Sequence, residues 1–115
     1  MGETRIEIEI IAKKRKIVNV LVDTGATLTV LPSDMLTSSG VKKIKMVEVE
    51  LADGGVIKRY LGEAKIKLNE NVVTTRVIFG EKTDASVLGT VVLEELGLAV
   101  DPIRKRLIPV RYLFI

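Results

Sequence analysis

With 115 residues, 47% of them apolar and 29% charged, and a net charge of +3, the chain has the makeup of one globular domain spanning residues 1–115 and not of a disordered segment. It has no cysteine, which excludes a disulfide framework, a thiolate nucleophile and a zinc–sulfur site. It has no histidine either, which excludes a Ser-His-Asp triad in its usual form and any imidazole metal site.

The N-terminal stretch alternates Ile6, Ile8 and Ile10 with Arg5, Glu7 and Glu9, the period-two pattern of a half-buried strand. It is neither a signal peptide nor a transit peptide, and Ile6 stands where a myristoylation signal wants a hydroxyl. Lys13-Lys14-Arg15 reads as a polar turn, and Ile17 to Val22 as a more buried strand. After Asp23-Thr24-Gly25-Ala26, Thr27 to Leu31 is β-branched again. Pro32 to Leu36 suits a short helical turn, with Gly40 beyond its end.

Val47, Val49 and Leu51 alternate with Glu48 and Glu50 and run into Asp53-Gly54-Gly55, so the segment and the extended stretch from Val56 form a glycine-tipped hairpin. Strands follow at Ala64 to Leu68 and Val72 to Phe79, about the turn Asn69-Glu70-Asn71. Thr90 to Leu96 is the one full helix expected, with Thr90 as N-cap and Gly97 as stop. Leu107 to Ile115 is a final strand, marked as an edge by Pro109. The class is mainly β with one short helix.

Asp23 is the anomaly: a carboxylate after Leu21-Val22, where a plain buried strand would carry another valine. Three readings compete. Asp-Thr-Gly suits an ordinary turn. Asp23, Gly25 and Thr27 also fit a phosphate-gripping D-x-G-x-T loop of a phosphotransferase, but such enzymes flank the nucleotide with two domains, and 115 residues supply one.

The third reading rests on three motifs in register. Leu21-Val22-Asp23-Thr24-Gly25-Ala26-Thr27, the glycine-tipped Gly54-Gly55-Val56-Ile57-Lys58, and Ala85-Ser86-Val87-Leu88-Gly89 leading into a helix resemble the retropepsin-like aspartic protease family, in a single-lobe member of prokaryotic or archaeal type. The resemblance spans roughly residues 17 to 101 and implies a closed β-barrel of the retropepsin type.

It also implies a mechanism. Hydrolysing a peptide with neither metal nor nucleophilic side chain takes an acid and a base acting on one water. Two carboxylates about 3 Å apart share one proton, so one can take a proton from water while the other donates to the scissile carbonyl. The chain has a single such loop, so the resemblance implies a homodimer with Asp23 from each copy.

Asp23, Thr24 and Gly25 are then the catalytic triplet, with the Thr24 hydroxyl bonding across to the partner's loop. Ala26, Asp53, Gly54, Gly55, Val56, Ile57, Val87, Leu88 and Gly89 are the candidate substrate contacts. The substrate is a peptide in extended form, bound as an added strand under the flaps. Ala26 cannot donate to the carboxylates as a serine would, which places the expected activity optimum on the less acidic side of the family's range.

Retroviral members carry an acidic residue and an arginine where this chain has Thr27 and Thr90, so that route to a tight dimer is absent. The aromatic tail with Tyr112 and Phe114 is the expected substitute at the interface, the alternative being that it pairs within its own chain. No metal or other cofactor is expected, and no nucleic-acid or membrane partner. Lys13-Lys14-Arg15-Lys16 reads as a solvated hairpin tip, no apolar run approaches membrane-spanning length, and a cytoplasmic location follows as the simplest expectation. The rival from another class is a non-catalytic dimeric scaffold on the same fold.

Overall fold

A computed structural model describes residues 3–111. The isoleucine alternation makes β1 (Arg5–Ile11), antiparallel to β2 (Arg15–Val22) with Ile8 opposite Val18 and Ile6 opposite Val20. Ile8, Ile10, Val18, Val20 and Val22 enter the core. β2 alternates as well and is not the evenly buried strand its apolar content suggests: Ile17 faces outward opposite Glu9 and is 63% exposed.

β3 (Thr29–Pro32) runs straight into α1 (Ser33–Ser39), two turns of helix where the sequence suggested one. Pro32 caps its start, and Gly40 closes it in the left-handed conformation at φ 102°. Ser39, fully buried, returns its hydroxyl to the Met35 carbonyl at 2.7 Å.

β4 (Lys43–Glu50) and the first half of β5 (Val56–Leu68) form the glycine-tipped hairpin, from Glu50 opposite Val56 to Met46 opposite Tyr60. β5 is one strand of 13 residues, not two pieces. Its second half turns at Asn69 (φ 54°) and pairs with β6 (Asn71–Gly80). At Gly62 a Cβ would stand 2.6 Å from the Phe79 ring, so the glycine admits the largest buried side chain of the core.

β7 (Val87–Leu88) leads to α2 (Thr90–Leu96), which has the bounds expected from the sequence, but Gly89 and not Thr90 is its N-cap. No side chain caps the helix, because the Thr90 and Val91 N–H groups donate to the carbonyls of Ala26 (2.8 Å) and Thr27 (3.1 Å). β8 (Leu98–Asp101) and β9 (Arg106–Pro109) form a separate ribbon with Val100 opposite Leu107. Thus the part of the tail seen here pairs within its own chain. Tyr112 and Phe114 lie outside the described residues.

The large sheet runs β1-β2-β7-β3-β6-β5-β4, and β1 also pairs with β5, Ile10 opposite Ile66, so six strands return on themselves. Leu31, Ile66, Val77, Phe79, Leu88 and Val92 fill the interior. No helix among the described residues is long and apolar enough to cross a membrane.

Candidate active site

Asp23 begins the loop that leaves β2. Just before it, β2 lies parallel to β7, with Leu21 beside Val87 and Val22 beside Leu88. Every backbone N–H here is engaged: Leu21 donates to Ser86 (3.0 Å), Val22 to Thr4 (2.8 Å) and Asp23 to Leu88 (3.0 Å). The Ala26 N–H returns to the Asp23 carbonyl at 3.1 Å and closes the turn.

Asp23 itself is half-buried, and its Oδ1 accepts the Gly25 N–H at 2.8 Å. A Cβ on Gly25 would sit 3.2 Å from that oxygen, crowding the carboxylate, so glycine is the residue that lets the backbone hold it.

Beneath the loop lies Gly89. Its ideal Cβ would come within 2.6 Å of both the Leu28 carbonyl carbon and the Thr27 oxygen, closer than real atoms approach. The Gly89 N–H donates to the Thr29 hydroxyl at 3.1 Å in a buried setting, tying the end of β7 to the start of β3. The two chain segments are thus interlocked by backbone contact with no room for a side chain between them.

The hairpin tip is built from its own residues. The Leu51 N–H donates to Gly55 O (2.7 Å), that of Gly54 to Leu51 O (2.9 Å), and that of Gly55 to Asp53 Oδ1 (2.8 Å). Gly54 takes φ 90° with open space around it, so conformation and not crowding selects glycine there. Val49 opposite Ile57 and Val47 opposite Arg59 form the half-buried face, while Val56 is 58% exposed.

Lower on the hairpin, Arg59 forks onto Asp84, Nε to Oδ2 at 2.7 Å and a terminal NH₂ nitrogen to Oδ1 at 3.0 Å. This hydrogen bonding outweighs the cost of burial and holds the Asp84 carboxyl below its ordinary range, with the Glu81 N–H acting in the same direction; the Arg59 guanidinium is correspondingly raised.

The candidate residues therefore fall into two groups. Asp23 is hydrogen-bonded to Leu88 in the segment Val87, Leu88 and Gly89, and Thr24, Gly25 and Ala26 follow it in the same turn; Asp53, Gly54, Gly55, Val56 and Ile57 gather at the hairpin. Among the described residues no hydrogen bond links the hairpin tip to the Asp23 loop. Leu88 is wholly buried in the core and holds the loop through its carbonyl; Val87 is buried as well, though it does not join the main core cluster.

Two features escaped sequence reasoning. Thr29 read only as a β-branched strand residue, although a hydroxyl at a core-facing position is a signal for a buried partner. Asp84 has its partner 25 positions away, with no local pattern to join them.

Six strands closed on themselves, an Asp-Thr-Gly loop backed by an apolar-Gly segment and a glycine-tipped hairpin are together the marks of the retropepsin-like aspartic proteases. The chain matches the family model described as gag-polyprotein putative aspartyl protease over residues 8–95, and it belongs to that family.

Solved structures similar to it include EIAV protease complexed with the inhibitor HBY-793, at TM-score 0.72 and 22% identity over 87% of this chain and 93% of that one. Another is the protease of simian foamy virus (mac) in solution, at TM-score 0.59 and 21% identity over 80% of this chain and 93% of that one. At these identities the likeness is one of fold. No curated protein matches the chain.

Proposed function

We propose that the protein is an aspartic endopeptidase, a single domain that works as a homodimer with one Asp23 from each copy at the two-fold axis. The observation that carries this reading is the carboxylate of Asp23, fixed by the Gly25 N–H on a loop whose neighbouring backbone is bonded to β7. A carboxylate so placed is pre-organised for proton transfer and needs no rearrangement when a water arrives.

With its counterpart in the second copy it shares one proton. The ionised partner draws a proton from the attacking water; the protonated one donates to the carbonyl oxygen of the scissile bond, giving a tetrahedral diol. Collapse of the diol returns a proton to the leaving amine. Gly25 keeps both carboxylates within reach of each other, and the Thr24 hydroxyl bonds across to the partner's loop.

The peptide lies extended between the Asp23 loops and the hairpins. Its backbone is received by Asp53, Gly54 and Gly55 at the tips, and its side chains by Ala26, Val56, Ile57 and Val87. Leu88 and Gly89 support that surface from below.

Cleavage of a mixed peptide library, scanned over pH, tests the reading. Cleavage that pepstatin blocks and that Asp23→Asn abolishes supports it. Peptide binding without cleavage at any pH would favour the scaffold reading instead.

A further inference from the structure

Along the half-buried face of the β4–β5 hairpin, Val47, Val49 and Ile57 are followed by a charge, Arg59. Its side chain is only 14% exposed and that of Asp84 only 21%, in a part of the molecule where Glu48, Lys58 and Tyr60 on the other face stand in solvent. An apolar pair would close such a face without the cost of desolvating two charges. A forked guanidinium–carboxylate pair supplies something an apolar contact lacks, a fixed angle and register.

The fork is also well supported on both sides. The other terminal nitrogen of Arg59 donates to the Lys58 carbonyl at 2.8 Å and lies 3.8 Å from Glu81. Asp84 Oδ2 also accepts the Glu81 N–H at 2.8 Å, and the Asp84 N–H returns to the Glu81 carbonyl at 2.9 Å, closing the turn 81–84. Two residues further on, Ser86 accepts from Leu21, and Leu88 accepts from Asp23. One short loop therefore connects the stem of the hairpin to the backbone that holds the carboxylate.

We infer that Arg59 and Asp84 are positioning residues for substrate: their forked pair seats the flap stem on the loop that leads to Val87, so that the height of the flap over a bound peptide is set against the cleft wall. This rests on the reading of the β4–β5 hairpin as the cover of a peptide site. The pair touches no reacting atom; it acts through the flap and the cleft wall.

The test compares wild type with Arg59→Met, Asp84→Asn, the double variant and Arg59→Lys, using the library peptide that wild type cleaves best. Each single change strands a charge and lowers the melting temperature. The double variant removes both charges, keeps an acceptor for the Glu81 N–H, and regains most of the melting temperature.

KM separates the roles. It rises about tenfold in the single variants and stays raised in the double one, with kcat within about twofold of wild type. Arg59→Lys, which keeps the charge without the fork, resembles the methionine variant. If KM returns to the wild-type value together with the melting temperature in the double variant, the pair only neutralises a buried charge and the inference is wrong.

A second arm needs no catalysis. In an Asp23→Asn background, amide hydrogen exchange over residues 47–59 is about tenfold faster once the pair is removed, while the β1–β2 ladder is unchanged. Equal exchange overturns the clamp whatever the kinetics. Absence of peptide cleavage by wild type would count against the proteolytic reading and leave the exchange arm to decide the clamp.

Discussion

Around Asp23 the chain is fixed by its backbone. Leu21, Val22, Asp23 and Ala26 all donate main-chain hydrogen bonds, Gly89 packs against Leu28 and Thr27 with no space for a Cβ, and the nearby side-chain bonds come from Gly25 and Gly89 N–H groups. The β4–β5 hairpin is the opposite case. Its tip is exposed and, among the described residues, bonded only to itself, and lower down it is held by the side-chain fork of Arg59 and Asp84.

On the proposed function, the difference maps onto two requirements. Proton transfer needs a carboxylate that does not wander, which interlocked backbone provides. A cover that admits and releases a peptide must open at low cost, and a hairpin with few buried contacts does so.

Substitutions at the two regions should therefore fail differently. Asp23→Asn is expected to lower peptide cleavage on the order of 10⁴-fold while leaving the melting temperature near wild type, since the amide still accepts the Gly25 N–H. Paired activity and melting measurements check this; equal losses in both would mean that Asp23 is structural.

Gly89→Ala is expected to act the other way, through stability. With backbone atoms at 2.6 Å from the added methyl, the loop and β7 must part, at a cost of about 3 kcal/mol read by urea unfolding. A Gly54→Ala control, where nothing stands within 4 Å, should cost only about 1 kcal/mol from its left-handed conformation.

Thr29→Val is nearly isosteric but strips the acceptor from the buried Gly89 N–H, and about 1–3 kcal/mol of stability should go with it. A smaller loss than for Gly54→Ala would show that the β7–β3 tie contributes little to the rigid region.

The smallest effect belongs to the flap and depends on pH. Asp84 has a depressed folded-state pKa, so its ionised form contributes stability above the ordinary value of 3.8, and this is lost as pH falls through the lower folded value. The melting-temperature gap between wild type and Asp84→Asn should be constant above about pH 5 and close only below the ordinary carboxylate range. A gap that closes near neutrality would assign the effect to another group.

Much of the fold was legible because local patterns encode it. Isoleucine alternation gives β1, the glycine tip gives the hairpin, and Asp23-Thr24-Gly25 and Val87-Leu88-Gly89 are each a contiguous motif, although they lie far apart in the chain and only the β2–β7 pairing joins them. The misses have physical causes. β8, residues Leu98–Asp101, follows a helix stop without period-two alternation, and its turn to β9 uses Lys105 at φ 53° where a glycine would have signalled it. Ile17 looks like a core residue by type, and only the register opposite Glu9 puts it outside. The Arg59–Asp84 fork joins residues of two separate segments, and either one alone resembles an ordinary surface charge.

The central claim is that catalysis takes one Asp23 from each of two copies, and mixing tests it most directly. Wild type and Asp23→Asn are unfolded and refolded together at constant total concentration, and peptide cleavage is followed against the wild-type fraction. If both carboxylates are required, activity follows the square of that fraction, falling to about one quarter of the full rate in an equal mixture. A linear decline to about one half would mean that each chain works alone, and the shared-proton mechanism would have to be abandoned.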